Sequence, residues 1–116
     1  MLIDKFQREI DMRWPARAFG VDWEIPVLGL GGEAGEVLEE FKKALRYTLY
    51  GYRGLDGTDV GDLTHRRGRI AEELGDVLHY TARIATIMGL SLEQIARDNL
   101  TKTLPNRRNE FEGVER

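Results

Sequence analysis

The chain is 116 residues long, 41% hydrophobic and 32% charged, with a formal net charge of −3 and no cysteine; that is room for one domain with a core of its own. The acidic balance excludes a broad nucleic-acid surface, which draws its affinity from many Lys and Arg contacts to phosphates, and the lack of thiols excludes a disulfide framework, a thiolate zinc site and a cysteine nucleophile. No run approaches the roughly 18 apolar residues of a membrane span, and the amino terminus turns charged at Asp4-Lys5, so neither membrane nor leader is expected and the chain is read as cytoplasmic.

Prolines occur at 15, 26 and 105, each where a helical pattern starts or stops. Ile3, Phe6, Ile10 and Trp14 recur at helical spacing and predict a first amphipathic helix that closes at Pro15. After a loop at 20–25, Pro26 opens a long second helix with the stripe Leu30, Ala34, Val37, Leu38, Phe41, Leu45 and Leu49, ending near Tyr50. Residues 51–68 hold five glycines and three aspartates without periodicity and predict a mobile loop. Asp56, Asp59 and Asp62 lack the alternation of a calcium loop and are read as solvated.

A third helix resumes near Arg69, striped by Ile70, Leu74, Val77, Leu78, Thr81, Ile84, Ala85 and Met88, with Gly89 placed to cap it in a left-handed conformation. Ser91 and Gln94 have capping-box spacing, and Leu90 and Ile95 the spacing of a hydrophobic staple, so a fourth helix is expected from there to about Thr103, before Pro105. The tail from about 106 is polar and is expected to fray. The whole reads as a single all-α domain over 1–116, with a four-helix bundle-like core.

One pattern repeats with an offset of 40 residues: Glu33-Ala34-Gly35-Glu36-Val37-Leu38 and Glu73-Leu74-Gly75-Asp76-Val77-Leu78. Residues three apart share a helix face, so Glu33 with Glu36 and Glu73 with Asp76 form two carboxylate claws beside their apolar stripes, able to converge when the helices pack. Four clustered carboxylates repel unless they bind protons or a cation, and an all-oxygen site suits Mg²⁺, which is often completed by substrate phosphates. A lone E-x-x-E is usually solvated surface; the repeat beside two seams is what lifts this one, while Glu39, Glu40 and Glu72 are assigned to the solvated class. Gly35 and Gly75, each costing roughly 1 kcal/mol against alanine, suggest close approach of a helix or a ligand.

Asn99 and Lys102 fall where the fourth stripe expects apolar residues. Either they reach a phosphate or metal-bound water, or Asn99 satisfies nearby backbone while Lys102 snorkels outward; both readings stay open. Lys43, Arg107 and Arg108 can bind phosphate or complement a helix end. Trp23 and Tyr80 are candidates for stacking on a base, Tyr80 because it lies four residues after Asp76 on the claw face, whereas Trp14 is assigned to the core. His65 and His79 have no histidine partner at ligand spacing and are read as non-catalytic. For the same reason a di-iron bundle is set aside, since Asp76-x-x-His79 has no counterpart. A non-enzymatic helical module that binds a partner or a regulatory nucleotide is the rival from another class.

The segments L-G-L-G-G-E-A-G-E-V-L-E-E-F-K-K at 28–43, E-E-L-G-D-V-L-H-Y at 72–80 and N-L-T-K at 99–102 resemble the MazG-like nucleoside triphosphate pyrophosphohydrolases, a branch of the all-α NTP pyrophosphatase superfamily. The resemblance spans roughly residues 28–107. It implies a Mg²⁺ site at Glu33, Glu36, Glu73 and Asp76, with Mn²⁺ as an alternative ion, and cleavage of a nucleoside triphosphate to monophosphate and pyrophosphate. It also implies a homodimer or homotetramer. The connection from Glu36 to Glu73 is longer than is usual in the family, and the motif does not determine the base. Related families act on phosphoribosyl-ATP or deoxyuridine nucleotides, and these remain alternatives. In the mechanism expected here Mg²⁺ and the carboxylates hold the triphosphate, Glu36 accepts the proton of the attacking water, and Lys102 faces the phosphate charge.

Overall fold

The computed structural model describes residues 2–14, 23–50 and 63–115, the side chains at 47, 48, 50 and 104–115 excepted. Four helices account for most of them: α1 (Leu2–Arg13), α2 (Glu24–Tyr50), α3 (Arg67–Ile87) and α4 (Leu92–Glu115), with no strand among the described residues. None is long and apolar enough to cross a membrane. The helices fall into two compact units, one of residues 1–16 with 82–116 and the other of residues 17–81, so α3 contributes to both.

In the first unit, Ile10, Ala82 and Leu92 form a buried cluster on which Ile3, Phe6 and Trp14 pack, as the first stripe predicts. α3 ends as expected. Gly89 takes φ +69°, its N–H donates to the Thr86 carbonyl at 3.0 Å and the Leu90 N–H donates to the Ala85 carbonyl at 2.8 Å, the paired bonds of a Schellman cap. Ser91 caps α4, its Oγ accepting from the Gln94 N–H at 3.1 Å. The reciprocal half of the box is replaced, because the Gln94 side chain donates to Asp98 instead.

A residue from α1 completes this corner. The Gln7 side-chain amide donates to Thr86 Oγ1 at 3.1 Å and to the Leu90 carbonyl at 2.8 Å, and its oxygen accepts from the Leu92 N–H at 2.8 Å. One amide thus satisfies groups at the end of α3 and the start of α4. At roughly 1 kcal/mol for each of the three bonds, Gln7→Ala is expected to lower unfolding stability by about 3 kcal/mol, read as a fall in the urea midpoint at constant slope. Nearby, Arg83 pairs with Asp11 at 2.6 Å and lies over the Trp14 ring at 5.1 Å from its centre.

Two expectations at helix boundaries change. α4 does not stop near Thr103 but continues through Pro105 to Glu115, although an interior proline loses an i→i−4 bond and crowds the preceding turn. α3 begins two residues early, after a hydrogen-bonded turn at 63–66. The remainder of the glycine-rich segment, and Pro15, lie outside the described residues.

The second unit departs further from the predicted stripes. Leu38, Phe41, Leu45 and Leu49 on α2, and Leu74 and Leu78 on α3, are exposed. The buried line on α2 is instead Pro26, Glu40 and Ala44, with half-buried Leu30, Glu33 and Val37 between them. Their spacing alternates four and three residues, the seam of a helix packed on a neighbour. Glu33 therefore stands within the seam, where the spacing predicts it beside one, while Glu36 stays exposed.

Candidate metal centre

α2 and α3 meet along three rungs that run in opposite directions on the two helices. At the first, the Tyr80 ring lies so close to Gly29 that a Cβ there would stand 2.5 Å from it. At the second, Glu33 faces Glu73 and Asp76: one carboxylate oxygen from each lies within 4.8 Å of the others. At the third, the Arg66 guanidinium donates to Glu40 Oε2 at 2.8 Å.

Like charges gather in the acid cluster. A hydrogen bond with Glu33 raises the Glu73 pKa above the ordinary carboxylate value, with desolvation next and then the charges of Glu33, Asp76 and Glu40. The ion pairs of the described residues engage Glu9, Glu39, Glu40, Asp11 and Glu93, and none gives a basic partner to Glu33, Glu73 or Asp76. Three converging carboxylates without a lysine or arginine partner among the described residues fit a hard divalent cation that prefers oxygen. They do not suit a soft-ligand metal, since the cluster contains neither thiolate nor imidazole.

Glu36 is exposed and stands apart from the three converging oxygens. Gly35 and Gly75 have open space where a Cβ would project, so among the described residues neither serves a close helix approach, whereas Gly29 does. Tyr80, considered for base stacking, rests on the α2 backbone at Gly29 and meets His79 edge-on with ring centres 5.4 Å apart. Trp23 is 52% exposed. Lys43 lies 4.0 Å from Glu40 and is partly exposed. Asn99 and Lys102 belong to the other unit, both exposed on α4, and the Asn99 carbonyl accepts from Thr103. The Arg107 and Arg108 side chains lie outside the described residues.

Sequence reasoning missed Glu40. Assigned to the solvated class, it is 5% exposed and bound to Arg66. A signal was present, since Glu40 follows Glu33 by seven residues and so shares its helix face.

The model of the MazG nucleotide pyrophosphohydrolase domain matches residues 25–111 of the chain. No curated protein and no solved structure matches it. The matched range contains all three rungs between α2 and α3.

Proposed function

The chain belongs to the MazG nucleotide pyrophosphohydrolase domain family, and from that premise we propose that it hydrolyses a nucleoside triphosphate to the monophosphate and pyrophosphate with Mg²⁺ bound at Glu33, Glu73 and Asp76. The observation that carries the reading is the convergence of these three carboxylates, from two helices, within 4.8 Å. A bound divalent ion would supply charge neutralisation for the phosphates and polarise a water.

The chain's own part is to position and to take a proton. Glu33 and Glu73 are held half-buried in the seam between α2 and α3, which limits their freedom to turn away from the phosphates. Glu36, one turn from Glu33 and outside the converging trio, is left with a carboxylate for the proton of the attacking water. Lys43, Asn99, Lys102 and Arg107 are proposed to bind the phosphates, and Tyr80 and Trp23 to face the base. On this reading residues 1–116 act as one functional domain.

A panel of nucleoside triphosphates with Mg²⁺, with pyrophosphate separated from orthophosphate, tests the reading. Pyrophosphate in equal amount with monophosphate is expected; orthophosphate as the first product, or binding without turnover, refutes it. Lys102→Met is expected to lower kcat/KM about tenfold with the fold unchanged, whereas an exposed lysine without a phosphate contact changes little.

We further propose that the chain assembles into a homodimer or homotetramer through the exposed Leu38, Phe41, Leu45, Leu49, Leu74 and Leu78. On α2 these residues recur every three or four positions along one helix face, and such a stripe is rarely left to water. Light scattering behind size exclusion should give a mass of twice or four times 13.3 kDa, and a monomer at micromolar concentration would sink the idea.

A further inference from the structure

The third rung has no assigned role. Glu40 and Arg66 are both nearly sealed from solvent, with side-chain exposures of 6% and 11%. A buried ion pair is a weak source of net stability, because desolvating the two charges offsets most of their attraction. Arg66 also precedes the first residue of α3, and the Ile70 N–H donates to its carbonyl at 3.0 Å. A cation at a helix N-terminus opposes the macrodipole. Local energetics thus give little reason for a buried arginine at this place.

Its position relative to the acid cluster gives one. Glu40 follows Glu33 by seven residues on α2, and Arg66, the residue before α3, precedes Glu73 by seven, so the pair lies about two turns from the cluster along the two helices. Tyr80 on Gly29 bounds the cluster at its other end, but that contact is a ring lying on backbone. The bond from Arg66 to Glu40 is directional and charge-assisted at 2.8 Å. A slip of α3 along α2 by one turn, about 5.4 Å, would exceed the 4.8 Å within which the three carboxylate oxygens gather.

We propose that Glu40 and Arg66 are a positioning pair, setting the register of α3 against α2 so that Glu73 and Asp76 stand opposite Glu33. The role rests on the metal-site reading above. Neither residue touches the substrate; both act through the placement of the ligands.

Through-space charge and register predict opposite signs for one substitution. Arg66→Met removes a positive charge from the neighbourhood of an acidic site, which by electrostatics alone tightens cation binding. Loss of register weakens it. Mn²⁺ is titrated calorimetrically into the full-length wild type and Arg66→Met, each shown to be helical by circular dichroism. A fall in Mn²⁺ affinity of at least fivefold is expected; unchanged or tighter binding overturns the positioning role.

Because Arg66→Met leaves the buried Glu40 carboxylate with only the longer Lys43 contact at 4.0 Å, the double variant Glu40→Met with Arg66→Met is measured beside it. Net charge is then unchanged, and apolar replacement of a buried pair commonly keeps or raises stability. The melting temperature is expected to return to the wild-type value or above while Mn²⁺ affinity stays at least fivefold weaker. Recovery of both would assign the pair to stability alone. Failure of the wild type to bind Mn²⁺ would remove the site itself, and the positioning role with it, which distinguishes the two readings.

Discussion

Glu73→Gln and Asp76→Asn are each expected to lower kcat on the order of 10²–10³-fold, with the double variant losing far less than the product of the two. Both side chains reach the place where the Glu33 oxygen also lies, so they share one ligand set, and groups that act as a unit are not additive. The replacements keep shape and much of the hydrogen bonding while removing one negative charge each. In the metal-free chain they should therefore leave stability unchanged or improved, since the hydrogen bond with Glu33, then desolvation and the charges of Glu33 and Asp76, already push Glu73 toward its protonated form. Steady-state kinetics and chelator-treated melting curves on the two singles and the double decide the matter. Near-normal, additive kinetics would return these acids to ordinary surface. Glu36→Gln belongs in the same series: as the proton acceptor it should lose turnover with little change in Mn²⁺ affinity, whereas a fourth ligand would lose both.

Removal of divalent cation should abolish turnover and lower the melting temperature. A cation held at a hundredfold excess over its dissociation constant stabilises the folded state by about 2.7 kcal/mol, which for a chain of this size is roughly 10 °C. The gain must depend on pH, and its sign follows from Glu73. Its folded pKa is raised by the Glu33 hydrogen bond first and by desolvation and neighbouring charges after that. Without metal, the folded state then holds a proton that the unfolded state has released, so stability falls as pH rises from the unfolded carboxylate value through the raised one. A cation needs the ionised carboxylates, so the gain from Mg²⁺ should be largest at neutral pH and shrink on acidification through the raised Glu73 value. Melting temperatures with and without Mg²⁺ between pH 4 and 8 test this. A gain independent of pH would place the ion elsewhere, and full activity in chelator would overturn the metal requirement.

Local chemistry made much of the fold legible in the sequence. Gly89 and Ser91 declare their caps because a left-handed residue after a helix and a hydroxyl before one are properties of single residues, and both appear as read. Pro26 sits in the first turn of α2, where its missing N–H costs nothing, and it is fully buried there. The claws of Glu33 with Glu36 and of Glu73 with Asp76 follow from spacing alone, because residues three apart on a helix share a face whatever the helix packs against. Pro105 misled, since a breaker rule states a cost per residue and α4 continues past it.

Tertiary structure decided which face of α2 and α3 turned inward. Hydropathy favours the large residues, so Leu38, Phe41, Leu45 and Leu74 were read as core, yet they are exposed and the seam runs through Pro26, Glu33, Glu40 and Ala44. A helix with apolar residues on two faces has two candidate seams, and periodicity within one helix cannot rank them; the ranking depends on what the neighbour offers. Here the turn before α3 offers Arg66 to Glu40, and α3 offers Glu73 and Asp76 to Glu33. The same dependence hid Arg66 and Glu40. Burial of a charge is a property of the pair, and the residues that make this one lie 26 positions apart in the chain. The repeat at 33–38 and 73–78 was written in the sequence because each half is local; that three of its carboxylates meet, that Glu36 stands outside them, and that a buried ion pair lies two turns away became visible only where two helices touched.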